Sequence, residues 1–362
     1  MKLVRLVLDT MYKIPVVNKA EPLIEAVDAA LFGTKDTTTA GPHMIDGIDS
    51  KRFMTCALVG IAPATLASIY FFGLHALLMI IVSYAAGISV EFVFAVVRKH
   101  KIHEGFFVTG LIFPLVLPPT TPLWVVAVGV IFGVLFGKEM FGGTGRNIFN
   151  PALVGRLFIT IAFPVIMTTS WLMPIANTKA TFMDKWLTPF GETSITDSIT
   201  AATPLAVYKS DGVMPSTMDL LIGNTTGSMG ETCGIAIIIG GLILLFTKAA
   251  NWRIPVSYIG SALLFSIIGH RFMPQQIAPP VFQLLAGGLL FGAFFMATDP
   301  VTSPFTNVGK YIFGIMCGIL TVLIRSFSGY VEGVMFSIVI MNALTPLIDH
   351  IVLSFKYKPV KL

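Results

Sequence analysis

The chain has 362 residues, 55% of them hydrophobic and 12% charged, with a net charge of +5. Soluble domains carry about 25% charged residues, so this composition excludes a soluble globular protein and points to a polytopic membrane protein. The positive balance sits in loops and is not a nucleic-acid signal, and the three cysteines (Cys56, Cys233, Cys317) stand far apart with no C-x-x-C, against a zinc or iron–sulfur site.

Residues 1–52 are polar, lack the apolar run and cleavage site of a signal peptide, and read as a cytoplasmic N-terminal arm. Within the arm, 22–32 (PLIEAVDAALF) reads as a short amphipathic helix suited to the membrane surface or another protein of a complex; a plain solvated arm is the alternative. Ten hydrophobic segments follow: 53–73, 75–97, 104–118, 122–137, 151–172, 234–248, 254–269, 281–297, 308–325 and 333–355. Several approach the ~20 residues needed to span a bilayer as a helix; others are short and interrupted by Pro or Gly.

Glu91 lies inside the second segment. The third closes on Pro118-Pro119-Thr120-Thr121-Pro122, and the eighth closes on Pro300-Val301-Thr302-Ser303-Pro304, both of the form P-x-T-[TS]-P. Asn150-Pro151-Ala152-Leu153 opens the fifth segment and Asn342-Ala343-Leu344 lies in the tenth. Equivalent elements five segments apart imply two five-helix repeats, 53–172 and 234–355, of opposite topology, with a binding site near the midplane.

Between the fourth and fifth segments, Glu139 precedes Phe141-Gly142-Gly143-Thr144-Gly145-Arg146-Asn147. This loop matches neither a P-loop nor a dinucleotide fingerprint. Its glycines let backbone N–H groups approach a ring or phosphate, or simply make a tight turn. Gly288/Gly292 and Gly314/Gly318 have the spacing of helix packing.

An ionisable group within a membrane segment is a functional candidate by default. Glu91, Glu139, Asp299 and Asp349 are candidates for a cation path, with oxygen ligands suited to a hard cation such as Na⁺ and the ligand set left open. Arg156, in the fifth segment, is a candidate of the same kind, and for each of these residues a structural ion pair, such as Arg156 with a carboxylate, is the equal alternative. Lys and Arg concentrate at one membrane face, for example Arg98, Lys99, Lys101, Lys138, Arg146, Lys248 and Arg253. That face is the cytoplasmic one by the positive-inside rule. Both termini, including the tail 356–362, are then cytoplasmic, and the loop 173–233 lies outside.

That loop is long enough to be functional or disordered. It contains Asp197-Ser198-Ile199-Thr200-Ala201-Ala202-Thr203-Pro204, a D-x-x-[ST]-x-A-T pattern typical of threonines that receive a flavin through a phosphoester bond. The small residues Ala201 and Ala202 leave the target exposed, and Pro204 is expected to keep it out of a helix. A flavin fixed to a membrane protein implies electron transfer.

The runs EGFFVTGLIFPLVLPPTTPLW, FGKEMFGGTGRNIFNPALVGR, GSMGET, FMATDPVTSPFTNVGK and NALTPLIDH, with the IDSKRFM entry to the first segment, resemble the B-subunit family of sodium-translocating NADH:quinone oxidoreductases. The RnfD component of the Rnf complex is a close relative, and the long arm favours the quinone reductase. The resemblance implies an all-α, ten-helix inverted-repeat membrane fold like that of urea transporters, in a bacterial inner membrane. It implies covalent FMN on Thr203, attached outside by a flavin transferase, with Asp197, Thr200 and Ala202 of the motif as further cofactor-binding candidates; Ala201 stands where the family often has Gly. It also implies non-covalent riboflavin, quinone reduction near the cytoplasmic side and Na⁺ translocation. Gly142, Gly143, Asn150, Pro151 and the 296–300 turn are candidates to contact these groups, and Glu139 and Asp349 match acidic positions linked to Na⁺ uptake. Implied partners are an NADH-oxidising subunit, the other subunits of a membrane redox complex, quinone and lipid. An Rnf-type ferredoxin:NAD oxidoreductase component and a small-solute channel of the same fold are the alternatives.

Overall fold

The computed structural model describes residues 50–99, 105–174 and 202–357. The expected helix at 22–32, the tail beyond 357, and Asp197, Thr200 and Ala201 lie outside the described residues. Within them the chain is helical, with no strand.

Each expected hydrophobic segment contains helix. The first five give α1 (Ser50–Phe72), α2 (Leu74–Arg98), α3 (Gly105–Leu115), α4 (Leu123–Gly137) and α5 (Pro151–Ala162). The fifth segment is interrupted at Phe163, and Pro164, which cannot continue an α5 hydrogen bond, starts a separate α6 (Pro164–Thr169). Two short helices follow, α7 (Pro204–Asp211) and α8 (Thr217–Ile222). The second set is α9 (Gly234–Phe246), α10 (Arg253–Phe272), α11 (Pro280–Leu285), α12 (Leu289–Phe291) running into a π-turn over Gly292–Met296, α13 (Asn307–Phe327) and α14 (Val334–Lys356). The eighth segment is therefore broken at 286–288, where Gly287 adopts φ +66°.

Among the described residues, five helices are long and apolar enough to cross a bilayer: Arg52–Phe72, Leu74–Arg98, Leu123–Phe141, Asn307–Phe327 and Val334–Lys356. The protein is a multi-pass membrane protein. α3, with 11 residues, is only about half as long as the ~30 Å hydrocarbon core.

In the first half α2 packs on α3 and α4, and α4 on α5; in the second, α10 packs on α11 and α13, and α13 on α14. α1 and α9 pack against each other, crossing where a Cβ on Gly240 would strike the Gly60 carbonyl. Gly129, Gly133 and Gly137 on α4 receive α5, and Gly314 and Gly318 on α13 receive Ser257 and Ser261 of α10. Small residues at such crossings let helix backbones approach without a strong hydrophobic drive. Gly292 packs on Val334, but Gly288 sits against the Glu231 carboxylate rather than a helix.

Proline breaks are repaired locally. Pro114 inside α3 removes the N–H that would bond the Gly110 carbonyl, and Ser83 of α2 donates to that carbonyl at 2.9 Å. The segment before α9 is not a simple surface loop. Met229 N and Gly230 N donate to Leu117 O (3.2 Å) and Leu115 O (2.7 Å), so this stretch continues the hydrogen bonding at the end of α3. Ser228, Glu231 and Thr232 are buried there.

Candidate functional site

Thr203 is the N-cap of α7. Its Oγ1 accepts from Ala206 N at 3.4 Å, and Pro204 takes the first helical position. Pro204 thus starts a helix instead of preventing one: its missing N–H is one the first turn leaves unpaired anyway. The Ala202 carbonyl, one residue earlier, accepts from Thr226 Oγ1 at 2.8 Å, which ties the segment to the buried stretch before α9.

Thr203 is half-buried on the wall of a cavity of 250 Å³. Met167, Trp171, Leu205 and Met335 supply apolar and aromatic wall, and Arg156, Ser228, Glu231 and Glu332 supply polar groups. Arg156 Nη1 donates to Glu231 Oε1 at 3.0 Å and Nη2 to Ser228 Oγ at 3.4 Å. The structural pair expected for Arg156 is therefore present, with Glu231 as its carboxylate. A second pair lies beside it. Arg325 Nη2 and Nε reach Glu332 Oε1 at 2.8 and 3.2 Å, and Gly288 N donates to Glu332 Oε2 at 3.0 Å. The 287–288 backbone passes between the two carboxylates, and a Cβ on either glycine would strike one of them. Sequence reasoning did not single out Glu231, Arg325 or Glu332. Each lies at a helix end or in a polar stretch, and its partner is set by tertiary packing.

At the opposite end of α5 the structure brings several other candidates together. Asn150 is buried and caps α5, its Oδ1 accepting from Ala152 N at 3.0 Å, with Pro151 next in the helix. Asn150, Pro151, Thr144, Asn147 and Asp299 line one cavity of 70 Å³. Gly142 (φ +110°) and Gly143 (φ +94°) take left-handed conformations in the preceding turn, and their N–H groups bond Glu139 O and Lys138 O, so neither is left to face a ligand.

The acidic candidates fall into two kinds. Glu91 accepts from Lys138, and Glu139 takes Arg98 Nη1 on its carbonyl at 2.8 Å and on its carboxylate at 3.5 Å. These two are charge-paired. Asp299 takes Thr302 Oγ1 at 3.0 Å and Val301 N at 3.4 Å. Asp349 on α14 takes Phe305 N at 3.0 Å, Thr306 N at 3.1 Å and the Thr306 hydroxyl, binding the turn that starts α13. Asp299 and Asp349 thus hold the two ends of the 299–306 turn.

Ligand pockets run to about 300–1,000 Å³. The Thr203 cavity approaches that range, and Arg156, one of its lining residues, has a buried Nε–H with no protein partner. The residues present therefore suit a flavin tethered on Thr203. The smaller cavity, at 70 Å³, is well below that range.

The sequence profile of the NQR2, RnfD, RnfE family matches residues 37–358. Among curated relatives, the B subunit of the Na⁺-translocating NADH-quinone reductase of Azotobacter vinelandii is 38% identical, over 93% of this chain and 92% of its own length. The B subunits of the same enzyme from Ectopseudomonas mendocina (37%; 93% and 92%) and Klebsiella pneumoniae subsp. pneumoniae (35%; 94% and 94%) are similar over the same extent. With most of its length matched by the profile and by relatives of this identity, the chain belongs to the NQR2, RnfD, RnfE family.

Proposed function

We propose that this chain is the membrane subunit of a Na⁺-translocating NADH:quinone oxidoreductase that carries FMN as a phosphoester on Thr203, delivers electrons to a quinone and couples their passage to Na⁺ movement. The observation that carries the reading is the position of Thr203. The D-x-x-T-x-A-T threonine stands on a cavity wall with its Oγ1 at the first turn of an eight-residue helix. The positive end of that helix favours the negative charge of a phosphoester, and the cavity behind it is lined for a planar, largely apolar ring. Bound there, a flavin supplies electron-carrier chemistry that protein side chains lack.

The chain's own residues do the rest. Thr203 provides the attachment oxygen, the walls exclude water, and Arg156 with Glu231 gives the cavity a fixed polar floor. Asp299 and Asp349, which take hydrogen bonds from neutral donors, are the stronger members of the cation path. Glu91 and Glu139, paired with Lys138 and Arg98, are its flank. NADH is oxidised by another subunit, since nothing in this sequence suits a dinucleotide. A flavin transferase, the remaining subunits and lipid are its partners, and riboflavin belongs to the same proposal without an assigned site.

The topology is part of the proposal. Ten spans in two inverted repeats are favoured by the recurrence of α2–α4–α5 packing as α10–α13–α14 packing, and by α1 and α9 meeting through a glycine from each. The distribution of Lys and Arg favours cytoplasmic termini and an outward-facing Thr203 in a bacterial inner membrane.

The test is flavin fluorescence of the chain in a denaturing gel, after expression with an active flavin transferase, beside a Thr203→Leu variant. A band present in the wild type and absent in the variant is expected. A dark wild-type band, with the transferase active on a control substrate, overturns the flavin reading.

A further inference from the structure

The two buried arginines near Thr203 differ in how fully they are used. Arg325 engages all three side-chain nitrogens: Nε and Nη2 on Glu332, and Nη1 on the Gln283 carbonyl at 2.7 Å. Arg156 engages only two, Nη1 on Glu231 and Nη2 on Ser228. Its Nε has no partner although the residue is 3% exposed. A guanidinium is donor-only, with five N–H groups in a fixed fork. Leaving a buried one unmet forfeits the hydrogen bond it would make to water. The surroundings hold the fork in place. Glu231 and Ser228 fix the two terminal nitrogens, and Gly288 lies close against the Glu231 carboxylate. Arg156 and Thr203 line the same cavity.

We propose that Arg156 is the polar anchor for the ring of the flavin carried on Thr203, its Nε–H donating to an acceptor atom on the pyrimidine edge of the isoalloxazine. Glu231 is a positioning residue that acts through Arg156. Trp171, Met167 and Met335 line the same cavity as apolar and sulfur-bearing wall suited to an aromatic face. The assignment rests on the reading that Thr203 is the attachment site and adds a second, non-covalent point of recognition. Two fixed points, a tether and an anchor, order a ring that a tether alone leaves free to swing.

The test uses the full chain expressed with the transferase and freed of non-covalent flavin. Two variants remove the Nε–H in different ways. Arg156→Lys keeps a cation beside Glu231, and Arg156→Gln/Glu231→Gln leaves no uncompensated buried charge. Gel fluorescence reports attachment; anisotropy and iodide quenching of the native protein report ring order. Both variants are expected to keep the wild-type band. Loss of a charge-assisted hydrogen bond should lower the docking equilibrium constant of the ring at least about tenfold, seen as lower anisotropy and stronger quenching. A flavinylated variant with wild-type anisotropy and quenching overturns the anchor. So does loss of the band in a folded variant, because ring docking is not needed for esterification. A dark wild-type band instead overturns the attachment reading, and the anchor with it.

Discussion

Lys138, just past the C-terminal end of α4, donates to the Glu91 carboxylate of α2, and both side chains are 4% exposed. The next residue, Glu139, takes Arg98 two turns further along α2. Removing one member of a buried pair strands the other, at a cost of about 3–5 kcal/mol, whereas an apolar replacement of both is often neutral. Glu91→Gln should therefore lower the thermal stability of the solubilised protein sharply, and Glu91→Gln/Lys138→Met should recover most of it. A single variant as stable as the wild type would show that the pair is not desolvated.

The helices of the ten segments were legible because each comes from a continuous apolar run, and Pro and Gly set most of their ends; α7 and α8, in the stretch that reads as an outer loop, were not legible. The interruptions were harder to read. Nothing local distinguishes 163–164 or 286–288 from sites where a helix tolerates a proline or glycine, and packing decides. The candidate site was legible only at Thr203, where the signal is a contiguous motif. Arg156 stood out as a charge in an apolar segment, but its partner Glu231 lies 75 residues away in a stretch that reads as polar loop. Pro204 was misread because proline both disrupts helix interiors and favours helix starts, and the threonine before it was the cue for a start.

Asp349 presents both carboxylate oxygens to the backbone of the turn at Phe305 and Thr306. Asparagine at 349 keeps one acceptor and turns an N–H₂ toward the other donor. Asp349→Asn should cost about 1–3 kcal/mol of stability and reduce Na⁺-dependent turnover while leaving covalent flavin unchanged. Turnover with the full Na⁺ response would remove Asp349 from the cation path and leave it the structural role alone.

Gly287 combines a left-handed backbone with contact against Glu332, Leu205 and Arg325. A Cβ there is strained in conformation and collides with the buried ion pair. Gly287→Ala should destabilise the protein by about 1–3 kcal/mol, measurable as a lower melting temperature. Gly329, where a Cβ would meet nothing within 4 Å, is the control: Gly329→Ala should leave that temperature nearly unchanged.

Thr203 serves as a helix cap whether or not it carries a flavin, so the two roles must be separated. Aspartate caps helices as well as serine does but has no hydroxyl to esterify, and a valine does neither. Loss of the cap should cost about 1 kcal/mol, felt first in α7, which is only eight residues long. Thr203→Asp should abolish in-gel fluorescence while hydrogen exchange across 204–211 stays near that of flavin-free wild type. Thr203→Val should lose the fluorescence and also exchange faster there. Equal protection in the two variants would mean that the Ala206 N–H bond to Oγ1, at 3.4 Å, contributes little to α7. A fluorescent Thr203→Asp protein would place the attachment elsewhere in the chain.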